Sequence, residues 1–88
     1  MSDPFLRRLR AQIAEQDRAI LDAVNARLRL VAELKQHKQA EGMEFVDPDQ
    51  EARALAALER ANRGPLSRAG LRLLFDQLLA LTKRELDD

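Results

Sequence analysis

The sequence lacks cysteine, tryptophan and tyrosine, and it has one histidine, His37, among its 88 residues. Without cysteine the chain has no disulfide, no thiolate nucleophile and no zinc–thiolate site, which is typical of a protein from a reducing cytoplasm. One histidine cannot form a multi-histidine metal centre. These absences exclude thiol chemistry and the usual histidine and cysteine metal sites.

Neither sign of charge dominates, because 15 lysines and arginines balance 15 aspartates and glutamates. No long-range field therefore attracts nucleic acid or an anionic membrane, and any anion-binding site must be local. No apolar run approaches the roughly 20 residues of a membrane span, and the amino terminus lacks the apolar stretch of a signal peptide. We expect a soluble protein of the cytoplasm that binds neither nucleic acid nor membrane.

Strand-forming patterns are also scarce, since phenylalanine occurs three times and no segment alternates with period two for long. The dominant residue types favour helices. Helix 1 is predicted to begin with Asp3 as N-cap and to continue to Gly42. Helix 2 is predicted from about Asp47 to 63–64, and helix 3 from about 67 to 86. The fold class is therefore all-α, with one long and two shorter helices.

Helix 1 is too long to be covered by the rest of its own chain. At about 1.5 Å per residue it forms a rod of about 55 to 60 Å, and the other helices are each about half as long. A single domain of this size buries only about two thirds of its unfolded surface. We therefore expect an intertwined homodimer in which the long helices pair and each chain contributes residues to the other's pocket.

Two cations lie on the apolar face of helix 1. Arg27 and Lys38 are eleven residues apart, which puts them within some 20° of the same direction and roughly 16 Å apart along the axis. An unpaired buried cation is costly, so both must meet an anion, either a protein carboxylate or a ligand. The face that they share contains Leu6, Leu9, Ile13, Gln16, Ile20, Val24, Arg27, Val31, Leu34 and Lys38.

Other polar candidates each have a simple structural explanation. Arg10 could be a solvated charge, and it lies about 25 Å from Arg27 along the helix, so only an antiparallel partner could bring its own copy to the same ligand. Asp47 suits an N-cap, Gln50 a capping box and Glu51 the positive end of a helix dipole. Thr82, which interrupts the apolar face of helix 3, can bond back to its own helix.

A series of short motifs runs through nearly the whole chain. They are Leu9-Arg10 with Ile13 and Asp17, Ala26-Arg27, Lys35-x-x-Lys38, Asp47-Pro48-x-x-Glu51, Gly64-Pro65-Leu66 and Leu74-Phe75. In this order and spacing they resemble the all-helical chorismate mutases (type II). The resemblance implies one chorismate mutase-like domain over residues 1–88 and an intertwined three-helix dimer.

The resemblance implies the [3,3] rearrangement of chorismate to prephenate in aromatic amino-acid biosynthesis, a reaction that needs no nucleophile, metal or other cofactor. By resemblance, Arg27 and the Arg10 of a partner chain would clamp the substrate carboxylates. Lys38 would face the ether oxygen, and Asp47 and Glu51 the ring hydroxyl. The other positions expected to contact substrate are Gln50, Thr82 and Leu86. Docking to another shikimate-pathway enzyme is left open.

Two positions depart from the family pattern. Gln50 stands where the family commonly has arginine, with Arg53 three residues later as a substitute. Leu86 stands where the family often has glutamine or glutamate at the ether oxygen, one residue after Glu85. These departures leave open a related isochorismate pyruvate lyase, an aminodeoxychorismate mutase or a noncatalytic regulatory module. The polar seam positions argue against a plain coiled coil.

Overall fold

The computed structural model describes residues 3–87 and consists of three α-helices in that range. Helix α1 spans Pro4–Ala40, α2 spans Pro48–Ala61 and α3 spans Arg68–Leu86. The described residues include no strand, so the prediction of an all-α chain with one long and two shorter helices is confirmed. None of the three helices is apolar over a stretch long enough to cross a bilayer within this range.

Each helix begins at a side-chain cap, at or next to the start that the sequence predicted. Asp3 accepts hydrogen bonds from the first turn of α1, Asp47 from the Gln50 amide and Ser67 from the Gly70 amide. These caps satisfy backbone N–H groups that have no partner inside the helix. They fix where each helix starts, and the cap at Asp47 fixes the orientation of the first turn of α2.

Helix α1 ends in a turn that needs glycine. Gly42 has a φ of 68°, and the Met43 amide donates to the Lys38 carbonyl while the Gly42 amide donates to Gln39. This pair of bonds is the Schellman motif, which places its left-handed residue just after the C-cap, here Glu41. The helix therefore stops at Ala40, and the following loop turns back toward α3.

Helix α2 ends earlier than the sequence predicted. Its last residue is Ala61 rather than a residue near Arg63, because Asn62 leaves the helical conformation and organises the next turn. The Asn62 side chain accepts a hydrogen bond from the Gly64 amide and donates one to the Leu66 carbonyl. A side chain that bonds to nearby backbone in this way competes with continuation of the helix.

An ion-pair cluster ties α2 to the first turns of α3. Glu59 of α2 accepts a hydrogen bond from Arg68, and the Arg72 guanidinium lies 3.9 Å from the same carboxylate. The hydrogen bond from Arg68 holds the pKa of Glu59 below its ordinary value. Both arginines are exposed to solvent, so the cluster orients the two helices more than it stabilises them.

Helix α3 lies at the centre of the chain, in contact with both α1 and α2. The buried residues in the described range are Leu71, Phe75 and Thr82, all on α3. On α1, the partly covered residues lie almost entirely in the carboxyl-terminal half, from Val24 to Lys38. The chain therefore buries one end of its long helix and leaves the other uncovered.

The uncovered half of α1 keeps its apolar stripe exposed. Ile13 and Ile20 are 59% and 62% exposed, and Leu6 and Leu9 are also exposed. The accessible surface is 7472 Å², whereas a compact monomer of this length has about 5,200 Å². The radius of gyration is 17.1 Å, against about 12 Å for a compact domain. One chain alone thus leaves far more surface in water than a globular protein of its size.

Candidate functional site

A pocket of about 200 Å³ opens between the carboxyl-terminal half of α1, the first turns of α2 and the carboxyl-terminal half of α3. Aliphatic and aromatic side chains form much of its wall, including Val31, Leu34, Phe75 and Leu79. The charged groups on the wall come from all three helices and from the α2 cap. They are Arg27, Lys38, Asp47, Glu51 and Lys83.

Arg27 is held in the pocket wall by a hydroxyl group. Its Nη1 donates to Thr82 Oγ1 at 2.7 Å, and Thr82 Oγ1 donates to the Leu78 carbonyl, also at 2.7 Å. Thr82 is only 5% exposed, so this chain of bonds crosses the packed contact between α1 and α3. A guanidinium has five N–H donors, and one bond to Thr82 leaves four of them for a ligand.

Lys38 is held by the loop that follows α1. Its Nζ donates to the Phe45 carbonyl at 3.1 Å, and an ammonium group has two further hydrogens to donate. Lys35 strengthens the same corner, because its Nζ lies 5.8 Å from the centre of the Phe45 ring and donates to the Leu86 carbonyl. These contacts connect α1 to the end of α3 and to the loop that follows α1, next to Lys38.

Neither Arg27 nor Lys38 forms a salt bridge with a carboxylate in the described part of the chain. The two cations that the sequence placed on an apolar face are thus held by neutral oxygens, the Thr82 hydroxyl and the Phe45 carbonyl. The simple explanation, an internal salt bridge, does not apply within residues 3–87. Their full positive charge remains available to an anion in the pocket.

The start of α2 brings two carboxylates and an amide to the same pocket. Asp47 serves as N-cap and also lines the pocket, so the capping explanation and the site explanation both describe it. Glu51, one turn later, lies 3.9 Å from Lys83 Nζ. Gln50 lines the pocket too, but its side-chain oxygen accepts two hydrogen bonds from Arg53, at 3.0 and 3.2 Å, instead of completing a capping box.

Three residues named from the sequence do not reach this pocket. Arg10 lies on the exposed half of α1, and Arg53 points its guanidinium to Gln50 and is absent from the pocket wall. Leu86 lines a neighbouring cavity with Lys35. A single chain therefore gathers Arg27, Lys38, Asp47, Gln50, Glu51 and Thr82, and leaves Arg10 and Leu86 outside.

Two residues that contribute polar groups at the pocket were missed by the sequence reasoning. Lys83 follows Phe75 and Leu79 at spacings of four, which places it on the pocket side of α3, and this periodicity could have identified it. Phe45 belongs to the loop after Gly42, where no periodic pattern exists. Its carbonyl contact with Lys38 depends on how the loop closes, which the sequence does not specify.

The arrangement suits a small anion that also carries a hydroxyl group. Cations and carboxylates share the wall with apolar side chains, so a ligand with both kinds of polar group is oriented by charge. No three histidine, aspartate or glutamate side chains are grouped as a metal site requires within residues 3–87. The charged groups on the wall can bind a ligand, orient it and stabilise charge on it.

Comparison with known proteins identifies a family. Residues 9–85 match the sequence model of the family described as chorismate mutase type II. The match covers all three helices except the first residues of α1 and the last residue of α3. No curated protein matches the chain at a significant level.

Proposed function

The chain belongs to the chorismate mutase type II family, and from that membership we propose that it rearranges chorismate to prephenate. The observation that carries the proposal is a pair of pocket cations, Arg27 and Lys38, with no carboxylate partner in the described chain. A partly buried cation that has only neutral partners favours an anionic ligand. Chorismate has two carboxylates and one ring hydroxyl, and the pocket has groups complementary to both.

The reaction breaks the ether C–O bond and forms a C–C bond within one molecule, so it requires no nucleophile and no cofactor. Its barrier falls when the substrate is held in a compact chair and when charge growing on the ether oxygen is stabilised. Arg27 binds a carboxylate with its planar fork, and Thr82 keeps that fork in place. Lys38 donates to the ether oxygen with a hydrogen not used by Phe45.

The two carboxylates at the start of α2 take the other side of the ligand. Asp47 and Glu51 face the ring hydroxyl, which donates its one hydrogen to one of these carboxylates, and Gln50 is a neutral side chain on the same part of the wall. We keep direct substrate contact by Thr82 as a prediction, although its observed bonds already use its hydrogen on Leu78. Contact of position 86 with substrate also stays a prediction, because Leu86 lines the adjacent cavity, which shares Phe45 and Lys83 with the pocket wall.

We propose further that the active form is an intertwined homodimer of one-domain chains, each covering residues 1–88. The exposed stripe of Leu6, Leu9, Ile13 and Ile20 supports this assembly, as does the large surface of the single chain. An antiparallel second α1 would cover the stripe and would bring the partner's Arg10 toward the pocket. The substrate site would then be shared between chains, and the protein would act in aromatic amino-acid biosynthesis in the cytoplasm.

One alternative has a specific observation in its favour. Gln50 and Leu86 lack the charge or hydrogen-bonding group expected there by family resemblance, and their absence favours a noncatalytic module that binds a chorismate-pathway metabolite or partner enzyme. Two related activities, isochorismate pyruvate lyase and aminodeoxychorismate mutase, use the same kind of ligand. Assays with chorismate, isochorismate and aminodeoxychorismate in turn, with product analysis, separate these activities from the mutase and from binding alone.

The decisive test is loss of chorismate absorbance and appearance of prephenate with purified protein. We predict that Lys38→Ala lowers kcat by about a hundredfold to a thousandfold, because the contact to the ether oxygen strengthens mainly in the transition state. KM should change much less. Lys38→Arg should not restore full activity, since a planar guanidinium does not replace a compact ammonium.

The matched control is His37→Ala, an exposed neighbour outside the pocket wall. It should keep wild-type kcat. A Lys38→Ala protein with wild-type kcat, or a wild-type protein that binds chorismate without turnover, would exclude the mutase assignment and favour the binding module.

A further inference from the structure

The charges on the pocket wall do not balance. Arg27, Lys38 and Lys83 contribute three positive charges, and Asp47 and Glu51 contribute two negative charges. The single chain therefore presents one net positive charge to a ligand, and without Lys83 it would present none. For a ligand with two carboxylates, Lys83 gives the wall of the single chain a net attraction, to which the partner's Arg10 adds in the dimer proposed above.

Position 50 does not supply that charge. Gln50 is neutral, and its side-chain oxygen is occupied by the Arg53 guanidinium. Arg53 is itself exposed and absent from the pocket wall, so it does not act as a third cation there. The pocket has a neutral side chain at position 50, and a cation from another helix lies 3.9 Å from Glu51, the next residue in the sequence.

Lys83 reaches the pocket from α3. It follows Phe75 and Leu79 on one helical face, so its aliphatic stem continues the apolar wall while its ammonium extends to the rim. Its Nζ lies 3.9 Å from Glu51 Oε1, and the Lys83 side chain is 53% exposed. An ion pair that long and that exposed is weak. Lys83 can therefore move from Glu51 to a ligand carboxylate at little cost.

We propose that Lys83 is a substrate-binding residue of this pocket and that its ammonium receives one carboxylate of the bound dianion. It takes the place of a charged residue at position 50. This inference rests on the proposed function, because it takes the ligand to be a dicarboxylate such as chorismate. It adds an α3 cation to the set that the sequence motifs identified.

Two simpler explanations predict different behaviour. Lys83 lies in the last turn of α3, where a cation is favoured by the helix dipole, but Arg84 lies in the same turn and does not line this pocket. Alternatively, Lys83 acts only on Glu51 and never contacts the ligand. A control at Arg84 tests the first explanation, and a Glu51 variant tests the second.

The experiment uses Lys83→Met, which keeps the aliphatic stem and removes the charge, with Lys83→Arg and Arg84→Met beside it. Steady-state kinetics with chorismate and calorimetric titration with prephenate measure KM, kcat and Kd. Each Lys83 protein is also made with Glu51→Gln, and circular dichroism checks that every variant is folded. We expect Lys83→Met to raise KM and Kd about tenfold, the lower range for a hydrogen bond to a charged group, with kcat nearly unchanged.

Lys83→Arg should recover most of the affinity, Arg84→Met should match wild type, and the loss from Lys83→Met should persist in the Glu51→Gln background. The inference is overturned if Lys83→Met keeps wild-type KM and Kd, if Arg84→Met loses as much, or if the effect disappears with Glu51→Gln. A wild-type protein that does not consume chorismate defeats the proposed function alone. Titration of that protein and of Lys83→Met with chorismate then still decides the role of Lys83: weaker binding by the variant supports it, and equal or absent binding overturns it.

Discussion

The buried hydroxyl of Thr82 on α3 holds Arg27 in position. Thr82 accepts from Arg27 and donates to the Leu78 carbonyl, so both the place and the direction of the guanidinium are fixed before any ligand arrives. A carboxylate in the place of Thr82 would hold Arg27 equally well but would neutralise it. Support by a neutral group keeps the charge for the ligand, which is the physical meaning of preorganisation.

The first prediction at this scale separates function from stability. Arg27→Ala should lower kcat/KM by about a hundredfold or more, because a carboxylate clamp is lost. The free energy of unfolding should fall by only about 1 kcal/mol, since Thr82 keeps its bond to Leu78 and no carboxylate in the described chain is left unpaired. Chemical denaturation at fixed protein concentration measures the second quantity.

Arg29→Ala, exposed on another face of α1, is the control and should change neither quantity. A loss of about 3 to 5 kcal/mol in Arg27→Ala would instead indicate a buried acid partner in the assembled protein. Retained activity would remove Arg27 from the site.

The sequence identified part of the site because helical periodicity is regular. Arg27 and Lys38 could be placed on one face from their spacing alone, and the pocket contains both. Lys83 and Phe45 were missed for different reasons. Lys83 was available from the same periodicity but was not singled out from the sequence. Phe45 depends on the path of a seven-residue loop between α1 and α2, for which no pattern of comparable strength exists.

Among the elements, helix starts were easier to predict than helix ends. Asp3, Asp47 and Ser67 are caps whose side chains accept hydrogen bonds from the following turn. Such a local interaction depends on the type of one residue at the start of the helix. The end of α2 was predicted two residues too late, because Gly64 was taken as the stop and the bonds of Asn62 to Gly64 and Leu66 were not considered. Such bonds span a turn whose shape is decided by packing.

The end of α3 is held by a contact that the sequence did not reveal. Lys35 donates to the Leu86 carbonyl, a backbone group that has no partner within its own helix, and it also lies over the Phe45 ring. The last turn of α3 is thus tied to α1 next to Lys38. Leu86 faces the neighbouring cavity, which shares Phe45 and Lys83 with the pocket wall.

The prediction at this scale concerns Leu86→Gln. Position 86 is one turn after Thr82 on nearly the same face, so an amide there extends from the adjacent cavity toward the shared wall. We expect kcat to rise about threefold to tenfold, the effect of one neutral hydrogen bond, measured by chorismate consumption. Glu85→Gln, exposed and one residue earlier, should leave kcat unchanged. No gain from Leu86→Gln would mean that the two cavities act separately.

At the scale of the whole molecule, the dominant fact is the uncovered half of α1. The sequence predicted it from helix lengths, and the long axis of 62 Å against 26 and 17 Å agrees with a rod covered at one end. The position of the partner could not be predicted from the sequence. A stripe of leucine and isoleucine indicates that a surface is buried, but it does not identify the surface that covers it. The exposed stripe is large enough that a stable folded monomer is not expected.

We therefore predict that the thermal midpoint rises with protein concentration, as it does when folding and association are linked. Ile13→Glu should dissociate the dimer and lower helical content, because it places a charge in the centre of the stripe. Ala11→Glu adds the same charge to the opposite face of α1 and should remain dimeric. Sedimentation and circular dichroism over a range of concentrations measure both, and a well-folded wild-type monomer at micromolar concentration would contradict the assembly.

The dimer can also be tested by its activity. Arg10 is far from the pocket of its own chain, so it can contact substrate only in the pocket of the partner chain. Arg10→Ala and Arg27→Ala should each keep only about a hundredth of wild-type activity or less as pure proteins. When the two are unfolded together and refolded as a mixture, half of the dimers are mixed, and each mixed dimer has one site with an intact Arg27 and an intact Arg10 from the other chain. The mixture should recover about a quarter of wild-type activity. If Arg10 instead acted within its own chain, no site in the mixture would have both arginines, and the activity would stay at the level of the separate variants.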